Sequence, residues 1–407
     1  MNRKLFRKLI GTIASFLMVL MLFSTTEAST EKILYSFAGG VDGASPEAGV
    51  ILDAAGNLYG TTWGGGSAGF GTVFKLSRNP DGTWTESILH SFQGADGDAP
   101  RAELVFDNVG NLYGTTFSGG TVGGVVFKLS PNADGTWTET IIHNFNGVDG
   151  AIPTGALIMD GAGNFYGTTA QGGTLGGGTV FQLTPNLDGS WSENVLYNFP
   201  IGSAGTTSPN GTLTFDSSGN LYGTTATGGF GARGNVYKLS PSGGYWTITS
   251  LHTFSGDPDG AYPQTGVIFD VAGNLYGTTP NGGDPRCDCG TLYRLSPAGG
   301  GGWTEKVMHV FSGGPGNFNW PAAALVLDSV NNAYGSTYLT GQKIAGMVFK
   351  VNLSNGKMTV LQSFDRFGFP NGQGPLGKLV LDSAGNLYGT TLGGGAYDGG
   401  VVFEIIP

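Results

Sequence analysis

The sequence predicts an all-β protein, a seven-bladed β-propeller with four-stranded antiparallel blades, and three observations carry that prediction. Of the 407 residues, 75 are glycine, far above the usual share of about 7%. Yet 12% are aromatic and no three-residue period runs through the chain, which excludes collagen and structureless linkers. A heptapeptide, Gly-Asn-Leu-Tyr-Gly-Thr-Thr or a near copy, places its Asn at positions 57, 111, 164, 220, 274, 332 and 386, seven copies at spacings of 53 to 58 residues. Finally, the last copy lacks its closing strand, and a segment of matching sequence stands ahead of the first copy.

Taken in chain order, residues 1–28 read as a secretory signal peptide: Arg3, Lys4, Arg7 and Lys8, then an apolar run from Leu9 to Phe23, then small residues at Thr26 and Ala28. Cleavage after Ala28 leaves residues 29–407 as a single exported domain. The alternative is an uncleaved anchor, which the run is too short to favour, since about 20 apolar residues are needed to cross a bilayer. No second long apolar stretch follows. Removing the leader takes away four basic residues and Glu27, moving the net charge from −10 to −13. Such an acidic chain repels phosphate backbones, so nucleic acid is not an expected partner.

The segment Thr30-Glu-Lys-Ile-Leu-Tyr-Ser-Phe37 matches Thr85-Glu-Ser-Ile-Leu-His-Ser-Phe92 and is read as a fourth strand. Within one period the four strands are Glu103–Asp107, Asn111–Thr116, Val125–Leu129 and Trp137–Phe145, joined by connections short enough to require antiparallel neighbours. One such meander of about 50 residues cannot bury both faces alone; stacking copies around an axis does so. The final segment, Val401-Val-Phe-Glu-Ile-Ile406, aligns with the third strand Thr72-Val-Phe-Lys-Leu-Ser77. The N-terminal strand is therefore expected to complete the last blade and close the ring, which removes the exposed seam. An open solenoid, with whole repeats and polar caps, is the alternative.

Three repeated features read as structural. Asp53, Asp107, Asp160, Asp216, Asp270, Asp328 and Asp382 close the first strands and are placed to accept N–H groups of their own turns. Gly60, Gly114, Gly167, Gly223, Gly277, Gly335 and Gly389 sit in the second strands, where converging sheets leave no room for a side chain. Trp84, Trp137, Trp191, Trp246 and Trp303 open fourth strands at one repeat position, so they do not converge on one ligand. His90, His143, His252 and His309 also share one position, too far apart for common metal ligation or a Ser-His-Asp triad.

The heptapeptide, preceded by a strand ending in Asp and followed by Gly-Thr-Val-Phe-Lys-Leu-Ser-Pro-like strands, resembles the GloVer tandem repeat of exported bacterial proteins. It is more distantly similar to NHL-type propeller repeats. The resemblance covers nearly all of residues 31–407 and implies fold and export rather than a chemistry. Members often carry a C-terminal sorting segment after the repeats; this sequence ends on its last strand.

Loops joining strands two to three and four to one emerge on one face, vary among copies, and are the expected site of binding residues. There Asp42, Asp96, Asp149, Asp257 and Asp259 lie in Asp-Gly-type loops, readable as tight turns or as a partial acidic ring for a cationic ligand or Ca²⁺; no other cofactor is expected. Copies lacking acid bring aromatics instead, Phe318 and Trp320 in one and Phe367 and Phe369 in another, compatible with a saccharide or peptide surface. Cys287 and Cys289 read as a disulfide, two free thiols or half of a metal site. The function expected is a monomeric, secreted, non-catalytic binding module for an extracellular glycan, a peptide or an envelope protein. The alternatives are a carboxylate-based polysaccharide hydrolase or lyase, which needs two facing carboxylates, one of raised pKa, and a purely structural envelope protein.

Overall fold

A computed structural model describes residues 29–202, 205–312, 320–321, 323–338, 344–365 and 371–407; the leader expected at 1–28 and the aromatics Phe318, Phe367 and Phe369 lie outside them. The chain forms seven antiparallel blades in sequence order, with no α-helix among the described residues. Blade one comprises Ile51–Leu52, Leu58–Thr62, Thr72–Arg78 and Trp84–Ser91, hydrogen-bonded in that order from the axis outward. Blade three adds two short strands to its four, Ala151–Pro153 and Gly205–Thr206.

Burial follows position in the blade. The second strand, between two blades and near the axis, is the most buried, at every residue in Leu58–Thr62 and over the first five residues of Phe165–Gln171. Outermost strands such as Trp84–Ser91 begin with strict alternation, because one face packs on the preceding blade and the other meets water. Seven apolar clusters result, one for each pair of adjacent blades. The fourth-strand tryptophans belong to them: Trp137 packs edge-on against Tyr59 of the blade before, Trp191 against Tyr113 and Trp303 against Tyr222.

The ring closes as the sequence predicts. Thr30–Ser36 pairs antiparallel with Val401–Ile406, from Thr30 opposite Ile406 to Ser36 opposite Val401. Leu34 and Phe37 then pack on Val50, Leu58 and Phe74 of blade one. Second-strand hydroxyls fasten blades together: Thr168 donates to the carbonyl of Gly211, Thr224 to that of Thr265 and, across the closure, Thr390 to that of Ala48 at 2.7 Å.

Except in blade four, where Pro209–Phe215 runs for seven residues, first strands are shorter than the five residues expected; in blade two only Val105–Phe106 pairs. The preceding residues leave the ladder and press on the neighbouring inner segment, so a Cβ added at Gly49 would stand 2.1 Å from the carbonyl oxygen of Lys378. Axial crowding therefore acts on these first-strand glycines. The second-strand glycines answer a different demand: a Cβ at Gly114 would meet Phe127 of the third strand at 2.6 Å, and a Cβ at Gly60 would meet Phe74 at the same distance. An aromatic ring of the same blade lies across each of them.

Candidate functional site: the variable-loop face

Each acidic loop on the variable face is locked to its own blade. Asp42 accepts the N–H of Ala38 at 2.7 Å and the Tyr35 hydroxyl at 3.2 Å. Asp96 accepts Gln93 N–H at 2.7 Å and faces His90 Nε2 at 2.9 Å. Asp149 accepts Asn146 N–H at 2.9 Å and faces His143 Nε2 at 3.4 Å; Asp259 accepts the Ser255 N–H and hydroxyl and faces His252 Nε2 at 3.2 Å. The glycine after each acid has positive φ, for example +137° at Gly97, where an added Cβ would strike Thr116. These carboxylates thus occupy one equivalent position in four loops, and among the described residues no group of three or more His, Cys, Asp or Glu is placed to hold a metal ion. Asp257 is exposed in the loop that carries Asp259. Trp320 is 39% exposed, with its carbonyl accepting the N–H of Tyr338. Cys287 and Cys289 are joined by a disulfide.

Two features of this face escape the sequence reading. The first is a glutamate on the following blade. Glu86, Glu139, Glu193 and Glu305 face Asp42, Asp96, Asp149 and Asp259 respectively; burial first, and the facing aspartate second, push each carboxyl up to about 7. Each also has a buried Oε1 without a hydrogen-bond partner. The signal was present in the sequence as Trp-x-Glu at the start of these fourth strands. At two of the three junctions whose preceding loop lacks the acid the glutamate is gone too, Ile248 following the loop 200–209 and Val360 the loop 312–321. The third keeps Glu31, whose carboxyl burial pushes up to about 7 and which accepts the Gln362 side-chain amide instead. Burial meanwhile lowers the basicity of His143 and His252, against the opposing pull of their aspartates.

The second feature lies at the inner rim, where the second strands end. The Arg101 guanidinium stands over the rings of Phe117 at 4.2 Å and Trp63 at 5.5 Å and pairs with Glu47 at 3.2 Å. Trp63 remains 43% exposed, so the rim offers flat aromatic surface beside a charge pair.

Two nearby carboxyl groups in unlike environments are the arrangement that acid–base hydrolysis uses. Here it recurs at four blade junctions with the same half-burial, and each aspartate is committed to its own turn.

Comparison with known proteins finds solved structures of similar fold. The extracellular domain assigned to a one-component system of B. thetaiotaomicron aligns with a TM-score of 0.55 at 11% identity, over 92% of this chain and 40% of that one. Puromycin hydrolase aligns with a TM-score of 0.50 at 14% identity, over 85% of this chain and 50% of that one. This chain thus spans half or less of either protein, and at such identities the likeness is one of fold. No curated protein matches the chain. The Gloeobacter/Verrucomicrobia repeat matches residues 21–225 and 208–407, the span over which the heptapeptide, its Asp-capped turn and the glycine under an aromatic ring recur, and the chain belongs to that repeat family.

Proposed function

We propose that this chain is an exported, non-catalytic binding module that meets its ligand with the variable-loop face. The observation that carries the reading is the division of labour on that face. Its repeated acids are bound into their own turns, while aromatic surface stays open on a rigid ring at Trp63 and Trp320. Flat, half-exposed rings on a scaffold that does not move bind at little cost in ordering. Export is supported by the leader sequence, by the extracellular setting of one structural neighbour, and by the lack, among the described residues, of a helix long and apolar enough to cross a membrane.

The test starts from the full chain expressed with its leader. N-terminal sequencing of the exported product should begin at Ser29; retention of the leader would make residues 1–28 an anchor. The product is then passed over immobilised polysaccharides, peptides and envelope proteins, with the polysaccharide eluates assayed for chain cleavage. Retention without cleavage is expected. Released oligosaccharides would replace this reading with a hydrolase or lyase, and retention by nothing would leave a structural envelope protein.

A further inference from the structure

The junction between blades three and four breaks the pattern of its neighbours. Its loop, 200–209, contains no acid, and Ile248 stands where Glu86, Glu139, Glu193 and Glu305 stand elsewhere. In place of the charge pair is a cavity of about 330 Å³, open on the variable face and lined by no charged side chain. That volume falls at the small end of the range for ligand sites, about 300–1,000 Å³. One wall is aromatic: Tyr197 meets Phe199 edge to face at 4.9 Å, and Phe199 meets Tyr237 at 5.3 Å.

The opposite side is neutral and polar. Thr225, which lines the cavity, is 2% exposed and its Oγ1 has no hydrogen-bond partner. In three other blades the counterpart is satisfied, since Thr62 bonds Thr72 at 2.8 Å, Thr169 bonds Thr179 at 2.9 Å and Thr279 bonds Thr291 at 2.9 Å; Thr337 of blade six also lacks a partner. In blade four the facing residue is Asn235, whose Oδ1 is taken by the Thr253 hydroxyl at 2.6 Å. A buried hydroxyl without a partner is rare in folded proteins, and here it borders a space that a ligand can enter.

We propose that this cavity is the binding site for one neutral sugar unit of a glycan, with the pyranose ring against Tyr197, the partly exposed member of the aromatic wall, and a sugar hydroxyl bonded to Thr225. The inference rests on the binding-module reading and assigns its ligand class and place. A charged ligand is disfavoured because no side chain lining the cavity would pair with its charge. A neutral sugar matches both halves of the lining, since its C–H face suits an aromatic ring and its hydroxyls suit Thr225 and Asn235.

The experiment is calorimetric titration of the full chain with cellotetraose, xylotetraose and mannotetraose, with tetragalacturonate as the charged comparison. At least one neutral tetrasaccharide should bind and tetragalacturonate should not. Thr225→Val, which keeps the shape and removes only the hydroxyl, should weaken binding about tenfold without lowering the melting temperature. Ile248→Glu, which restores the residue found at five other junctions, should abolish it; circular dichroism checks that both variants fold. Neutral-sugar binding that survives both substitutions overturns the cavity assignment and leaves the binding-module reading standing. Binding of tetragalacturonate alone, or of none of the four, also overturns the assignment, whereas a chain that retains no polysaccharide, peptide or envelope protein overturns the underlying reading as well.

Discussion

The smallest working unit of this protein is a three-residue lock within each inner hairpin. Asp107 accepts the N–H groups of Val109 and Asn111 on one oxygen, and the Asn111 amide at 2.6 Å and the Tyr113 hydroxyl at 3.1 Å on the other. All seven copies repeat it, through to Asp382, Asn386 and Tyr388. These bonds to the ionised form hold the Asp carboxyls below the usual range even though partial burial alone pushes the other way. Removing the acceptor orphans a buried tyrosine hydroxyl and two turn amides. Asp107→Ala should therefore lower stability by about 2–4 kcal/mol in urea unfolding, with Asp107→Asn losing clearly less because one oxygen still serves the turn. Equal losses for the two would show that the charge, rather than the acceptor geometry, matters. The turn half of this lock was legible from the Asp-to-Asn spacing. The tyrosine half was not, because it depends on which way the second strand crosses the first.

At the scale of the strand, β-bulges decide what the blade junctions contain. By strict alternation His90 shares a face with Trp84 and Glu86. The register shift between Val73 and Phe74 turns it to the opposite face, where Asp96 meets it and in turn stands by Glu139 of the next blade. A sequence read at period two places these residues on separate surfaces, which is why the glutamates went unnoticed. The junction glutamates make stability depend on pH. Their carboxyls rise from about 4.5 unfolded to about 7 folded, so the folded chain holds more protons across that window. Their contribution is complete below the lower value and is lost as pH climbs through the upper one. The buried His143, His252 and His309, pushed down, act with the opposite sign below their unfolded value of about 6.5. A variant with these four glutamates and Glu31, whose carboxyl burial also pushes up to about 7, changed to glutamine isolates the effect: between pH 6 and 8 its melting temperature should fall less than that of the parent, by a few degrees. Parallel curves would show that the glutamates do not carry it.

For the whole molecule, the ring and its count were readable because every copy restates the same heptapeptide and the missing strand is supplied at the other end. The uncharged cavity between blades three and four was not readable, since it consists of what two separated segments lack. The closure makes a mechanical prediction. Deleting residues 29–37 of the processed chain removes a whole strand and the Phe37 anchor, and exposes the edge of Val401–Ile406. Unpaired edges recruit other chains. The truncated protein should run as a concentration-dependent oligomer in size-exclusion chromatography and melt well below the parent; adding the missing strand as a peptide should return it to a monomer. A truncated form that stays monomeric and equally stable would mean that the other six junctions suffice.

Thr30 lies opposite Ile406 at the end of the outer strands that carries the near-identical turns, on the side away from the cavity and the aromatic rim. A fusion partner, bead linker or lipid joined to either terminus leaves from one shared point and holds the disc by its back. Whichever end is used for immobilisation, the diverse loops look outward, so a sensor surface coupled through either terminus should present the same recognition side at full capacity.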